Sequence, residues 1–239
     1  YVREVEAGRI NRSPEMKFKR NAASVGFLDA DHTFGHAAGM CAMRHAIQLA
    51  KEAGTGFVAV GNSSHCGAMA CYALEACKFD MMGLATTHAS PKVRSPGSSR
   101  PFFGTNPICI TAPMLKEDPF CYDSAPTPIT SNKVKLYGER NETLPPGCAA
   151  DSDGVETLDP ARAVQLLPIG DYKGFGLAIV SDIFCSLLTG MPGGADVSQM
   201  YQEDLSRRRF LGQFYGAVRI DVFTDPPEFK RRLQDTADK

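Results

Sequence analysis

Tryptophan is absent from this chain, and neither sign of charge dominates: 26 Lys and Arg stand against 27 Asp and Glu, a formal net charge of −1. A near-neutral chain offers no electrostatic footprint for nucleic acid or for an anionic membrane. The one basic run, Arg207-Arg208-Arg209, sits close to Glu203 and Asp204. It reads as a solvated helix end, with a contact to a cofactor phosphate as the alternative. Long hydrophobic runs are also missing. The most apolar window, residues 177–191, is broken by Ser181, Asp182 and Ser186 and is too short to span a bilayer. No stretch has the make-up of a secretory signal. Eight cysteines are present without a Cys-x2-Cys pair, and the spacing of Cys66, Cys71 and Cys77 fits no structural zinc pattern. Reduced thiols in a cytoplasmic protein are the expectation. The chain also lacks a Walker A loop, a Gly-x-Gly-x-x-Gly fingerprint and a Gly-x-Ser-x-Gly elbow, so neither named phosphate motif nor serine hydrolase chemistry is available.

What is present begins with Phe57 to Val60, a short apolar run with two β-branched residues that reads as a buried strand. Gly61-Asn62-Ser63-Ser64 breaks it with turn chemistry, and residues 68–78 read as a helix. His65 therefore falls on the connection leaving a strand end, among small residues that let other groups approach. Its side chain titrates near neutrality and suits proton transfer. The plain alternative is a capping loop in which His65 only bonds to backbone. His32, His36 and His45 precede it, but His32 to His36 spans a helix entry and no third ligand is apparent, so no metal site is expected.

Taken in order, the chain predicts the end of a helix at residues 1–8, a short strand around 24–28 and a helix over 35–53 closed by Gly54. A strand at 82–87 runs into an irregular segment, 88–103, that carries Lys92, Arg94 and Arg100 and no acids. Long loops of this kind are usually functional or disordered. Gly104-Thr105-Asn106-Pro107 is a tight turn before a strand at 108–112, and a further strand at 119–123 delivers Asp123-Ser124-Ala125 to its end. Pro126 and Pro128 suit a first helical turn, continued over 132–140. Asp151-Ser152-Asp153-Gly154 resembles the start of a calcium loop, but Arg162 takes the twelfth position where a Glu is required. Gly170 to Gly176 opens a helix, 177–188, apolar on nearly all sides and so expected to be buried. Its start, with Lys173 and two glycines, should leave backbone N–H groups for an anion. A strand over 213–223 and a charged helix over 226–238 complete the chain. With no internal repeat and no clean linker, residues 1–239 read as one interleaved unit of mixed α and β, and about 70% of the unfolded surface should be buried at this length.

In order and spacing, Asn62-Ser63-Ser64-His65-Cys66-Gly67, Gly104-Thr105-Asn106-Pro107, Asp123-Ser124-Ala125 and Lys173-Gly174-Phe175-Gly176 resemble the second type of malate/L-lactate dehydrogenase family. Ala89-Ser90-Pro91 and Leu211-Gly212-Gln213 add weaker matches. The resemblance implies an α/β fold, a mixed sheet with flanking helices that is not a Rossmann domain. It also implies hydride transfer between NAD or NADP and a 2-hydroxy or 2-oxo acid, in a homodimer. By position, His65 matches an acid/base histidine; Ser90, Thr105 and Asn106 would line the substrate pocket; and Ala89, Asp123, Ser124, Ala125, Lys173 and Gly174 match cofactor-contacting positions. Some members carry a serine where Ala89 stands. Members also carry a Ser-His-Gly motif and an arginine upstream of Tyr1, and further cofactor contacts after Lys239, so the chain is expected to lack an N-terminal and a C-terminal family segment. Two rival readings remain at this point: an enzyme dependent on Cys66, and a cofactor-binding or regulatory protein without turnover.

Overall fold

The computed structural model describes residues 1–200 and 204–239. After the short helix α1 (Val2–Glu6), an edge hairpin is formed by β1 (Lys17–Ala22) and β2 (Val25–Asp29). Only the second of these was expected. The first, Lys-Phe-Lys-Arg-Asn-Ala, is almost wholly exposed and has none of the alternation that marks a half-buried strand. Helix α2 (Gly35–Ala53) follows, then β3 (Thr55–Ser63), α3 (Ala70–Cys77) and β4 (Met81–Thr87). The segment expected to be irregular holds two short strands, β5 (Val93–Arg94) and β6 (Pro101–Phe103). Strands β7 (Ile108–Ala112) and β8 (Phe120–Ser124) pair antiparallel, so β8 delivers Asp123-Ser124 as expected. Residues 126–130 do not begin a helix: α4 (Ser131–Glu139) starts after Thr130, whose hydroxyl accepts the Lys133 N–H.

Strands β9 (Ala149–Ala150) and β10 (Gln165–Leu166) complete a small four-stranded sheet in the order β6-β5-β10-β9. Helix α5 (Tyr172–Asp182) runs into a π-helical turn, Ile183–Leu187, and a 3-10 turn over Gly194–Asp196 follows. Strand β11 (Leu211–Arg219) and helix α6 (Pro226–Ala237) end the chain. Two expectations fail here. Residues 204–210 are not helical, so the arginine run is no helix end. Nor is α5 buried all round. Ile179, Val180, Ile183 and Leu188 are exposed, and Leu187 keeps 73% of its surface. An apolar stripe left uncovered among the described residues reads from sequence like a buried one.

The main sheet has seven strands in the order β1-β2-β3-β11-β4-β7-β8, with β2 and β3 parallel and every other pair antiparallel. The architecture is mixed α/β, with helices flanking the sheet. Helices α2 and α3 pack on one face through small residues: Ala38, Ala42, Ala46 and Ala50 of α2 and Ala73 and Ala76 of α3 are all fully buried. Side chains this short let the helix backbones sit close to the sheet. Phe214 on the other face of β11 meets Phe184 of the π turn at 4.7 Å between ring centroids. Strand β11 is thus enclosed on both faces and both edges.

Candidate functional site

His65 lies where the sequence puts it, in the coil between β3 and α3. Asn62 turns the backbone with φ 51 and Gly67 with φ 70. The loop is tied down on both sides of the histidine. Ser64 accepts the Gly35 N–H at 2.9 Å and donates to the Thr33 carbonyl at 2.8 Å. Gln213 of β11 donates to the Ser64 carbonyl at 3.0 Å, and the Tyr72 hydroxyl donates to the Cys66 carbonyl. Buried, satisfied contacts of this kind rigidify what they hold. The half-buried imidazole shares a hydrogen bond between Nδ1 and the Tyr1 hydroxyl at 2.5 Å, and His36 lies 6.3 Å away, ring to ring. Burial lowers its pKa below the ordinary 6.5; Arg209 and His36 lower it further, and Glu4 opposes them.

The histidine opens onto a cavity of about 160 Å³ whose wall also includes Ala89, Ser90, Thr105, Met200 and Arg209. Three residues named from the sequence therefore share one pocket with His65. Arg209 was not among them. Its neighbours Arg207 and Arg208 are exposed, but Arg209 keeps only 4% of its surface. Its Nη2 donates to Ser90 Oγ at 3.0 Å and to the Ser198 carbonyl at 2.9 Å, and Nε donates to Ser198 Oγ at 3.4 Å. The sequence did hold a signal: this arginine stands just before an apolar strand. In the wall of the same cavity, buried His88 accepts the Gly212 N–H on Nε2 at 2.8 Å. Its proton is therefore on Nδ1 when the ring is neutral, 3.6 Å from the Asp182 carboxylate.

Asn106 is closed off from the pocket. Its side chain is fully buried; Oδ1 accepts the Ala89 N–H and Nδ2 donates to the Ala178 carbonyl, each at 3.0 Å. It clamps the loop after β4 to α5. Gly104 serves the same contact, since a Cβ there would come within 2.2 Å of the Ala89 carbonyl oxygen.

Five of the six positions matched to cofactor contacts lie around the end of β8 and the start of α5. The Ile169 N–H donates to the Pro126 carbonyl at 3.0 Å, and Gly174 is buried against both residues. Asp123 is exposed and Ser124 half-buried; Asp123 also accepts the Ala70 N–H at 2.8 Å. The helix start is not the open anion site the sequence suggested, because the N–H groups of Lys173, Gly174 and Phe175 already bond to the carbonyls of Gly170, Ile169 and Asp171. The exposed Lys173 ammonium is left as the cation there, with no ion pair among the described residues.

The Cys66 thiol is fully buried and pushed up to about 12, mainly by burial, so it is not a thiolate at neutral pH. Asp151 of the calcium-like loop accepts from the N–H groups of Asp153 and Val155 and from Arg162. Among the described residues no three His, Cys, Asp or Glu are grouped to hold a metal, and no helix is long and apolar enough to cross a membrane.

The chain is similar to known proteins in sequence and in fold. Ureidoglycolate dehydrogenase (NAD(+)) of Escherichia coli K12 is 31% identical over 99% of the chain and 67% of its own length. Malate dehydrogenase of Pyrococcus abyssi is 34% identical over 98% of the chain and 66% of its own length. The solved sulfolactate dehydrogenase of Methanocaldococcus jannaschii superposes with a TM-score of 0.91 at 32% identity, covering 100% of this chain and 69% of that one. The chain thus spans about two thirds of the length of the curated relatives it matches. The model of the malate/L-lactate dehydrogenase family matches residues 1–239, and the chain belongs to that family.

Proposed function

We propose that His65 is the acid/base of a nicotinamide-dependent 2-hydroxy-acid dehydrogenase, with malate or a close relative as substrate. The oxidoreductase class follows from the relatives, which include enzymes named for NAD and for NADP. The observation that carries the residue assignment is the placement of His65 in the wall of a small cavity, its Nδ1 engaged by Tyr1. Proton exchange with substrate then falls to Nε2. The Tyr1 hydroxyl can donate to Nδ1 or accept from it, so it accommodates both ring states. A lowered pKa leaves the imidazole neutral at pH 7, ready to take the hydroxyl proton during oxidation. Ser90 and Thr105 line the same cavity and face the substrate; Asn106 supports the loop carrying Ala89 and Ser90.

The exposed Lys173 ammonium and the Ser124 hydroxyl fit an anionic dinucleotide, with Asp123, Ala125, Gly174 and Ala89 completing the contact. A nicotinamide bound there would donate or accept the hydride at the carbon bearing the oxygen. Lys173 fixes a phosphate as a point charge. Lys173→Ala is expected to weaken NADH or NADPH binding about tenfold in a fluorescence titration while leaving the substrate KM at saturating cofactor nearly unchanged.

Buried Cys66 speaks against a cysteine-dependent enzyme. The exposed apolar residues of α5 and its π turn suit contact with a second copy, and we read the protein as a cytoplasmic homodimer with its cysteines reduced. The deciding assay is NADH and NADPH oxidation against oxaloacetate, pyruvate, sulfopyruvate and 2,3-diketogulonate. Turnover of one of them supports the reading. Cofactor binding with no turnover of any would favour a regulatory protein.

A further inference from the structure

We propose that Cys109 and Cys121 form an oxidation site, a pair of thiols that a peroxide joins into a disulfide. The disulfide weakens cofactor binding by displacing Asp123, a consequence that rests on the dinucleotide reading of Asp123 and Lys173. The two sulfurs lie 4.0 Å apart across β7 and β8. The register explains the approach. Cys109 stands opposite Asp123 and Thr111 opposite Cys121, so the cysteines are diagonal neighbours whose side chains share one face of the sheet. It is the face on which Thr111 donates to the Ala73 carbonyl and Asp123 accepts the Ala70 N–H, both groups belonging to α3. Cys109 is fully buried and Cys121 is exposed. One thiol is thus open to an oxidant in solution, and its partner is shielded from it.

That asymmetry sets the order of events. The Cys121 thiolate attacks one oxygen of hydrogen peroxide; an S–O bond forms, the O–O bond breaks, and hydroxide leaves the sulfur as a sulfenic acid. The Cys109 sulfur then attacks the sulfenic sulfur. The S–S bond forms, the S–O bond breaks, and the departing hydroxide takes the Cys109 proton as water. Two thiols and one peroxide become one disulfide and two waters. Burial pushes the Cys109 thiol up, which suits it to resolve the sulfenic acid and not to meet the peroxide first. A disulfide brings its sulfurs to about 2.05 Å, and diagonal partners stand with Cα atoms about 7–8 Å apart, beyond the usual span of a bridge. Backbone therefore has to move. Strand β8 is free to do so, because it is the edge of the seven-stranded sheet and pairs with β7 alone. Asp123 lies two residues along that strand and is carried with it, away from the Ala70 N–H.

The test treats the cofactor-free protein with a slight molar excess of hydrogen peroxide, blocks the remaining thiols with N-ethylmaleimide and maps tryptic peptides by mass. Lys116 lies between the two cysteines, so the disulfide appears as two joined peptides. Wild type is expected to yield the Cys109–Cys121 pair and to bind NADH about tenfold more weakly by fluorescence titration, both changes being reversed by dithiothreitol. Cys121→Ser should form no such pair and keep its NADH affinity through the same treatment. Cys77→Ala, which removes the third thiol near both sulfurs, should still form it. Linkage demands the reciprocal effect: in a glutathione buffer, saturating NADH should raise the reduction potential of the pair by about 30 mV, the equivalent of tenfold. Two cysteines with a merely structural role would show no such shift. Absence of the joined peptides, joining of Cys121 to Cys77 in place of Cys109, or NADH affinity of the disulfide form within about twofold of the reduced form, would each overturn the proposal. If the reduced protein binds neither NADH nor NADPH, the dinucleotide reading fails, while the peptide map still decides the oxidation site.

Discussion

His65→Ala is expected to lower kcat/KM in both directions by roughly 10²- to 10⁴-fold, the usual worth of a positioned acid/base, with the fold and NADH affinity retained. Retention follows from how the loop is held: Ser64 and Cys66 carry the structural contacts, through Gly35, Thr33, Gln213 and Tyr72, and the imidazole carries none of them. The pH dependence gives a second reading of the same group. Burial first, then Arg209 and His36, lowers its pKa from 6.5, so the neutral ring persists to lower pH than in an ordinary histidine. Oxidation needs the neutral base, and its kcat/KM should fall only below that lowered pKa. Reduction needs imidazolium and should fall as pH rises through the same point. These limbs should vanish in the alanine variant. Steady-state rates across pH 4.5 to 8.5 check both; near-normal turnover in His65→Ala would refute the assignment.

Gly212→Ala should be the most damaging single methyl in the chain. A Cβ at Gly212 would sit 1.6 Å from the Cys185 carbonyl oxygen, 2.7 Å from its carbon and 2.8 Å from the Thr189 hydroxyl. The carbonyl belongs to the π turn after α5, so backbone, not a flexible side chain, has to move. The Gly212 N–H donates to His88, and its carbonyl accepts from Thr87 at 3.2 Å; neither bond survives a shift of the strand unchanged. The cost should be about 3 kcal/mol or more, a fall in Tm of roughly 6–12 °C for a chain of this size. Differential scanning fluorimetry would expose the error if Tm moved by no more than about two degrees.

How much of this was legible depended on whether the signal was local. The loop carrying His65 announced itself because an apolar strand ends in small turn residues, and α2 because its apolar positions repeat at helical spacing up to a closing glycine. The cofactor-matched positions were legible only by resemblance, since Asp123 and Lys173 are one sheet edge and one helix start whose proximity depends on the Ile169 to Pro126 contact. Arg209 was hidden for a similar reason. Three consecutive arginines look alike in sequence, and only the threading of β11 turns the third one inward. The apolar surface of α5 misled because periodicity reports the need for cover and not its source. Asn106 looked like a pocket residue, yet its amide is consumed by two backbone groups that are 89 residues apart in the chain, Ala89 and Ala178.

Strand β11 arrives after ten others and takes the place between β3 and β4, pairing with both. Until it is inserted, the sheet is two pieces, β1-β2-β3 and β4-β7-β8, each with an open edge of unpaired amides and carbonyls. Just over 150 residues separate the paired Gln213 and Val60, so the closing step bears a large loop entropy and comes late. A nascent chain emerging from the ribosome would present those two edges throughout synthesis of the intervening segment, the period in which strand-edge aggregation is the main hazard. Arg209, Leu211 and Gly212 all ride on or beside that last strand, and the first two wall the cavity beside His65, so the cavity is complete only once the sheet is.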